Sequence, residues 1–165
     1  MKNYEKYIDS AIDRGAEDAW IISANTIEVA NWVRWKCRYG CYRYGENLAC
    51  PPNTPWPFET EELINEYDRV LLIMSHDNSS MQDIVVDLEY QIFLDGYHKA
   101  FGLACGPCER CEECGPECPE PERVRPSLEA SGIDVYTTVR NNGREIEVLK
   151  SEEERPDYYA MVLIE

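Results

Sequence analysis

The stretch that decides the fold is Arg69–Ser75, which reads R-V-L-L-I-M-S. A continuous apolar run of this length is typical of a strand buried on both faces in an α/β sheet. Residues 81–92 then carry apolar side chains at helical spacing, and Gly96 predicts the end of that helix. Residues 99–104 (K-A-F-G-L-A) predict the next strand. Strand, helix and strand in this order predict a right-handed parallel crossover.

The rest of the chain adds helices and strands around this unit. Helices are predicted at residues 3–14, from Thr60 onward, at residues 121–131 and from Asp134 to about 141. Strands are predicted at residues 19–23, 27–35, 146–149 and 158–164, the last of them central in the sheet. The sequence therefore predicts one α/β domain over residues 1–165. Its sheet is expected to be central, mixed and mostly parallel, flanked by helices, with two cysteine-rich cluster-binding loops at 36–56 and 104–120.

Residues 105–119, C-G-P-C-E-R-C-E-E-C-G-P-E-C-P, hold five of the eight cysteines. From Cys108 the stretch reads C-x2-C-x2-C-x3-C-P, with Cys111, Cys114 and Cys118 as the other thiols. This spacing matches the bacterial ferredoxin run that ligates [4Fe–4S] clusters. A structural zinc site is the alternative, but a zinc ribbon normally separates its two C-x2-C pairs by a dozen or more residues.

A second cysteine-rich segment contains Cys37, Cys41 and Cys50, followed by two prolines. With the ferredoxin-type run it supplies enough thiolates for two cubes. By the ferredoxin rule, Cys108, Cys111 and Cys114 are expected to hold one cube, and Cys118 to cross to the cube of Cys37 and Cys41. Cys50 is expected either to cross the other way or to stay with Cys37 and Cys41. Cys105 is the remaining candidate ligand, with a buried free thiol as its alternative.

Charge and composition exclude several classes of partner. The net charge of −16 disfavours nucleic acid, because such a surface repels phosphate backbones. No apolar run approaches the length of a membrane span, so no membrane partner is expected. The stretch M-K-N-Y-E-K-Y-I-D-S has no apolar signal region, which predicts a cytoplasmic protein. In that compartment clustered cysteines indicate metal or redox chemistry more often than disulfides.

Several stretches resemble a family of small cysteine-rich proteins known only as predicted metal-binding proteins with a domain of unknown function. The matching pieces are C-R-Y-G-C, Y-G-E-N-L-A-C-P-P, G-Y-H-K-A-F, G-P-C-E-R-C-E-E-C and R-P-S-L-E-A-S-G-I-D-V. The resemblance implies an iron–sulfur or metal role, mostly in anaerobic microbes, and supplies no reaction. Seven cysteines match the shared pattern: Cys37, Cys41, Cys50, Cys108, Cys111, Cys114 and Cys118. Cys105 stands where a small non-ligand residue is expected and Ser131 where a cysteine is expected, so the eighth ligand stays open.

Three functions follow from these residues. The first is a redox or electron-transfer module with one or two [4Fe–4S] clusters, acting with a redox partner protein. The second is an iron–sulfur enzyme, in which one cube held by three cysteines leaves an iron open to act as a Lewis acid. The third is a structural zinc adaptor. His76 and His98 are isolated and are expected to be core or surface residues, and no acid–base arrangement marks a catalytic site.

Overall fold

The computed structural model describes residues 3–165; the predicted domain begins at Met1, and its first two residues lie outside this range. The helices are α1 (Glu5–Asp13), α2 (Asn31–Gly40), α3 (Pro57–Ile64), α4 (Met81–Leu94) and α5 (Val135–Asn141). The strands are β1 (Asp18–Ser23), β2 (Arg69–Ser75), β3 (Phe101–Leu103) and β4 (Tyr158–Leu163). Short 3-10 turns occupy Ala24–Thr26 and Pro121–Arg123. Within residues 3–165 every helix is too short or too polar to cross a bilayer.

The four strands form one sheet in the order β1–β2–β4–β3, and each neighbouring pair is antiparallel. The expected mostly parallel sheet is therefore wrong, and the protein belongs to the α+β class. Strands β2 and β3, which flank α4 in the chain, do point the same way. However, β4 lies between them and pairs with both. The apolar run of β2 correctly indicated burial on both faces, but burial carries no information about the direction of the neighbouring strand.

Both faces of the sheet are covered, which gives the protein two cores. On one face Leu71 and Ile73 of β2 pack with apolar residues of α1 and α4. On the other face Val70 and Leu72 pack with residues from the long segment between β3 and β4, including α5. All four of these β2 side chains are fully buried. The inner strand β2 is thus buried on both faces of the sheet.

Several of the predicted elements are confirmed and others are wrong. The helix at 3–14, the strands at 19–23, 69–75 and 158–164, and the helix after 80 are all present. Asp134 caps α5, since its Oδ1 accepts a hydrogen bond from the Thr137 amide at 3.0 Å. The predicted strand at 27–35 is wrong, because most of it belongs to helix α2. Helix α3 begins at Pro57 instead of Thr60, residues 121–131 hold only a 3-10 turn, and 146–149 is not a strand.

Helix α4 fastens strand β3 and the segment that follows the cysteine run. Glu89 Oε2 accepts hydrogen bonds from the Gly102 amide and from Arg125 Nε, both at 2.6 Å. A second contact joins Glu89 Oε1 to Arg125 Nη2 at 2.7 Å. Gln82 makes two hydrogen bonds of 2.9 Å with the Arg125 main chain. At Gly102 a β-carbon would lie 2.3 Å from Val85 Cγ1, so this close approach requires glycine.

We expect Glu89→Ala to lower the free energy of unfolding by about 2 kcal/mol, because it leaves the half-buried Arg125 guanidinium and the Gly102 amide without their charged acceptor. The matched control is Asp87→Ala on the same helix, which breaks an exposed ion pair with Arg123 and should cost less than about 1 kcal/mol. Urea unfolding followed by circular dichroism measures both. Equal losses for the two variants would contradict this role of Glu89.

Candidate metal centres

The first cysteine group consists of Cys37, Cys41 and Cys50. Cys37 lies in the last turns of α2, Cys41 directly follows the helix in extended conformation, and Cys50 is buried in the loop beyond. Burial raises the pKa of the Cys50 thiol to about 11, and the neighbouring Cys41 and Cys37 add to this shift. These three thiols therefore lie near enough to sense one another's charge, although 13 positions separate Cys37 from Cys50 in the sequence.

Arg34 holds this group in place from one turn before Cys37. It is only 6 % exposed, and its Nη1 donates to the carbonyl oxygens of Pro55, Thr54 and Ala130. Three chain segments therefore meet at one guanidinium: α2, the loop after the third cysteine, and the turn near residue 130. A buried Arg saturated by carbonyl oxygens fixes backbone segments that have few apolar residues of their own.

The second cysteine group consists of Cys108, Cys111, Cys114 and Cys118. All four thiols line one cavity of about 260 Å³, whose opposite wall is formed by residues 45–48 and Asn53 of the other cysteine-rich loop. Burial raises the pKa of Cys108, and the nearby Cys114 and Cys118 add to this shift. The remaining three thiols are exposed. The structure thus brings together the four cysteines of the ferredoxin-type run.

Charged contacts tie this run to helix α4. Arg110, which lies inside the run, pairs with Asp83 of α4 and, at 3.1 Å, with Glu120. Arg123 reaches the same Asp83 at 2.6 Å and Asp87 at 2.8 Å. The acidic face of α4 thus holds the run through Arg110 and the turn that follows it through Arg123, and both contacts are partly exposed ion pairs.

Cys105 lies apart from both groups. It is 3 % exposed and packs in the core between the sheet and helices α1 and α4. Burial raises its pKa to about 12, and the carboxylate of Glu129 adds to this shift. Among the described residues it lines neither the cavity of the second group nor the larger one beside the first. This position favours the buried free thiol over the eighth ligand.

A larger cavity of about 950 Å³ adjoins the first group, and Cys37, Cys41 and Glu129 lie in its wall. Trp32 and Trp35, whose aromatic rings the sequence places either in the core or around the cysteines, are 49 % and 70 % exposed; they lie outside the core and line this cavity together with Cys37 and Cys41. Sequence reasoning missed Glu129 altogether. Nothing in its local sequence marks it, because its nearness to Cys37 arises from contacts between segments far apart in the chain.

The histidines remain outside both groups. His76 lies with its Nδ1 3.0 Å from Asp157 Oδ1, and His98 is exposed. All eight cysteine side chains are free thiols. In residues 3–165 no three His, Cys, Asp or Glu side chains are grouped closely enough to hold a metal ion. The second group nevertheless supplies, around one cavity, four soft sulfur donors, the donor type that iron–sulfur clusters and zinc prefer.

Comparison with known proteins gives one finding. A family model described as a predicted metal-binding protein matches residues 20–164, which is nearly the whole chain. The comparisons with curated proteins and with solved structures each gave no match. The match includes both cysteine groups and all four strands except the start of β1.

We expect the metal-free protein to lose stability as the pH rises above about 9. Cys105 keeps its proton in the folded state up to a pKa of about 12, whereas the unfolded chain releases it near the ordinary value of 9.0. The unfolded state therefore binds fewer protons in this window, and this thiol alone removes up to about 1.4 kcal/mol per pH unit. Guanidinium unfolding at several pH values measures the slope. Cys105→Ala should flatten it, and an unchanged slope would contradict the assignment.

Proposed function

The chain belongs to the DUF2284 family of predicted metal-binding proteins, and from this premise we propose that it is an iron–sulfur protein that transfers electrons to or from a partner protein. The observation that carries the proposal is the second cysteine group, whose four thiols line one cavity. Their C-x2-C-x2-C-x3-C-P spacing is that of ferredoxin-type ligands. Family membership supports a bound metal, and the spacing and the placement of the thiols support a [4Fe–4S] cluster at this group.

The placement of Cys118 supports a simpler division of ligands than the crossed one expected from ferredoxins. Cys118 lines the same cavity as Cys108, Cys111 and Cys114. It also contributes with Cys114 to the raised pKa of Cys108. We therefore assign all four thiols to one cluster, and Cys37, Cys41 and Cys50 to a second metal centre whose fourth ligand is open.

Electron transfer is supported by the position of the second group at the surface. A [4Fe–4S] cluster bound there would supply one-electron redox chemistry. Cys111, Cys114 and Cys118 are exposed, so a partner could approach this centre closely. The net charge of −16 favours a basic partner surface, because charge complementarity accelerates encounter. The protein's own residues position this group, because Arg110 and Arg123 form ion pairs with Asp83 of α4.

A second candidate function is an iron–sulfur enzyme with an open iron, and a specific observation favours it. The first group offers three thiols, and the cavity of about 950 Å³ reaches two of them, Cys37 and Cys41. A three-cysteine cluster beside a cavity of that size could bind a substrate at its free corner. Zinc is the third possibility, because four thiols also form structural zinc sites.

Protein produced and purified without oxygen should be brown and contain iron and acid-labile sulfide in near-equal amounts. Two cubes correspond to about eight irons per chain and one cube to about four. Iron, sulfide and zinc analyses of the same sample measure this. Zinc in stoichiometric amount without sulfide would contradict the iron–sulfur assignment and support the adaptor.

A further inference from the structure

The cavity beside the first cysteine group has features of a ligand site that metal binding does not explain. At about 950 Å³ it is several times larger than the cavity of the second cysteine group. Its walls come from α2, from the turn before α5 and from the start of β4. A cavity of this size, with mostly apolar walls and a few polar groups, is the usual form of a small-molecule site.

One polar group in this wall has no partner. The Oε2 atom of Glu129 is shielded from solvent and makes no hydrogen bond to any described residue. The other two acids of the wall are engaged: Asp134 caps α5 through Thr137, and Asp157 pairs with His76. A buried carboxyl oxygen without a hydrogen bond is costly. The Glu129 side chain as a whole is half-buried and lines the cavity, so a cation bound there would meet a carboxyl group whose charge no described residue compensates.

Aromatic rings form much of the remaining wall. They belong to Trp32, Trp35, Tyr39, Tyr136, Tyr158 and Tyr159. Trp35 and Tyr39 contact each other edge to face, with ring centroids 6.4 Å apart, and both are largely exposed at the cavity mouth. Such rings bind flat apolar groups by stacking, and they attract cations through their π faces.

The charged groups around the cavity determine whether it favours a cationic or an anionic ligand. Its wall holds three acids and one base, Lys36, which lies over the Trp32 ring with its Nζ 5.5 Å from the centroid. The whole chain carries a net charge of −16. An anion would therefore be repelled, and a cation would be attracted.

We infer that this cavity binds a small organic cation with a flat apolar body, whose ammonium group pairs with the carboxyl group of Glu129 in the cavity wall. The aromatic side chains enclose the apolar body, and Glu129 fixes the charged end. Such a ligand would bind in the cavity regardless of which metal the thiols hold. It would lie against Cys37 and Cys41, so that a chemical event at that metal centre could act on it.

The test uses three probes of the same shape and different charge: phenethylamine, phenethyl alcohol and 3-phenylpropionate. Each is titrated into the protein as purified without oxygen, at physiological salt, and followed by saturation-transfer NMR and calorimetry. Phenethylamine should bind at least about tenfold more tightly than the alcohol, the difference that one charge-assisted hydrogen bond supplies. The propionate should bind least. Equal binding of amine and alcohol, tightest binding of the propionate, or binding of none of the three would overturn the inference.

Glu129→Gln tests the residue that makes the selection. It should bring the affinities for amine and alcohol within about threefold of each other, because the aromatic walls remain and the charge is lost. Glu152→Gln, an exposed acid in the loop before β4, is the matched control and should keep the wild-type preference. Retention of the preference in Glu129→Gln would show that general surface charge attracts the amine, and would overturn the role of Glu129. The comparison of probes in the wild-type protein decides the ligand class even if this variant folds poorly.

Discussion

The ion pair between Glu89 and Arg125 lies where the sheet, helix α4 and the cysteine-rich run meet, and the rest of the site depends on it. The long segments that carry the cysteines have few apolar residues, so they cannot fold by burial alone. Instead, polar and charged side chains on regular elements hold these segments: Gln82 and Arg34 bind their main chain, and Glu89 binds the Arg125 side chain. These contacts attach both cysteine groups to the helices and the sheet.

The sequence predicted most elements of this frame but not how they are joined. Apolar runs and caps located β1, β2, β4, α1, α4 and α5, because those signals depend on local periodicity. The predicted strand directions are wrong, because β4 comes from the end of the chain and inserts between β2 and β3. No local sequence pattern indicates this pairing. The prediction for the segment that forms helix α2 is wrong for another reason. Its aromatic and β-branched residues favour a strand by propensity, whereas burial of Val33 and Arg34 against other segments stabilises the helix.

For the candidate site, too, the sequence indicated the features that depend on local spacing and missed those that depend on contacts between distant segments. The spacing from Cys108 to Cys118 indicated four ligands of one kind, and the structure places these four thiols around a single cavity. The association of Cys50 with Cys37 and Cys41, the core position of Cys105 and the approach of Glu129 to Cys37 all require the tertiary fold. Together they describe a four-thiol group with three exposed members, to which we assign electron exchange, and a three-thiol group beside a large aromatic cavity. These two environments suit different tasks.

The central claim is that the two cysteine groups bind separate clusters, with Cys118 belonging to the second group. Native mass spectrometry of cluster-loaded protein, kept without oxygen, tests it most directly through two double variants. Cys114→Ser/Cys118→Ser should keep one cluster, because both changes fall in the same group. Cys37→Ser/Cys118→Ser should lose both clusters, because the changes fall in different groups. The reverse outcome, no cluster in the first variant and one in the second, would place Cys118 with Cys37 and contradict this account.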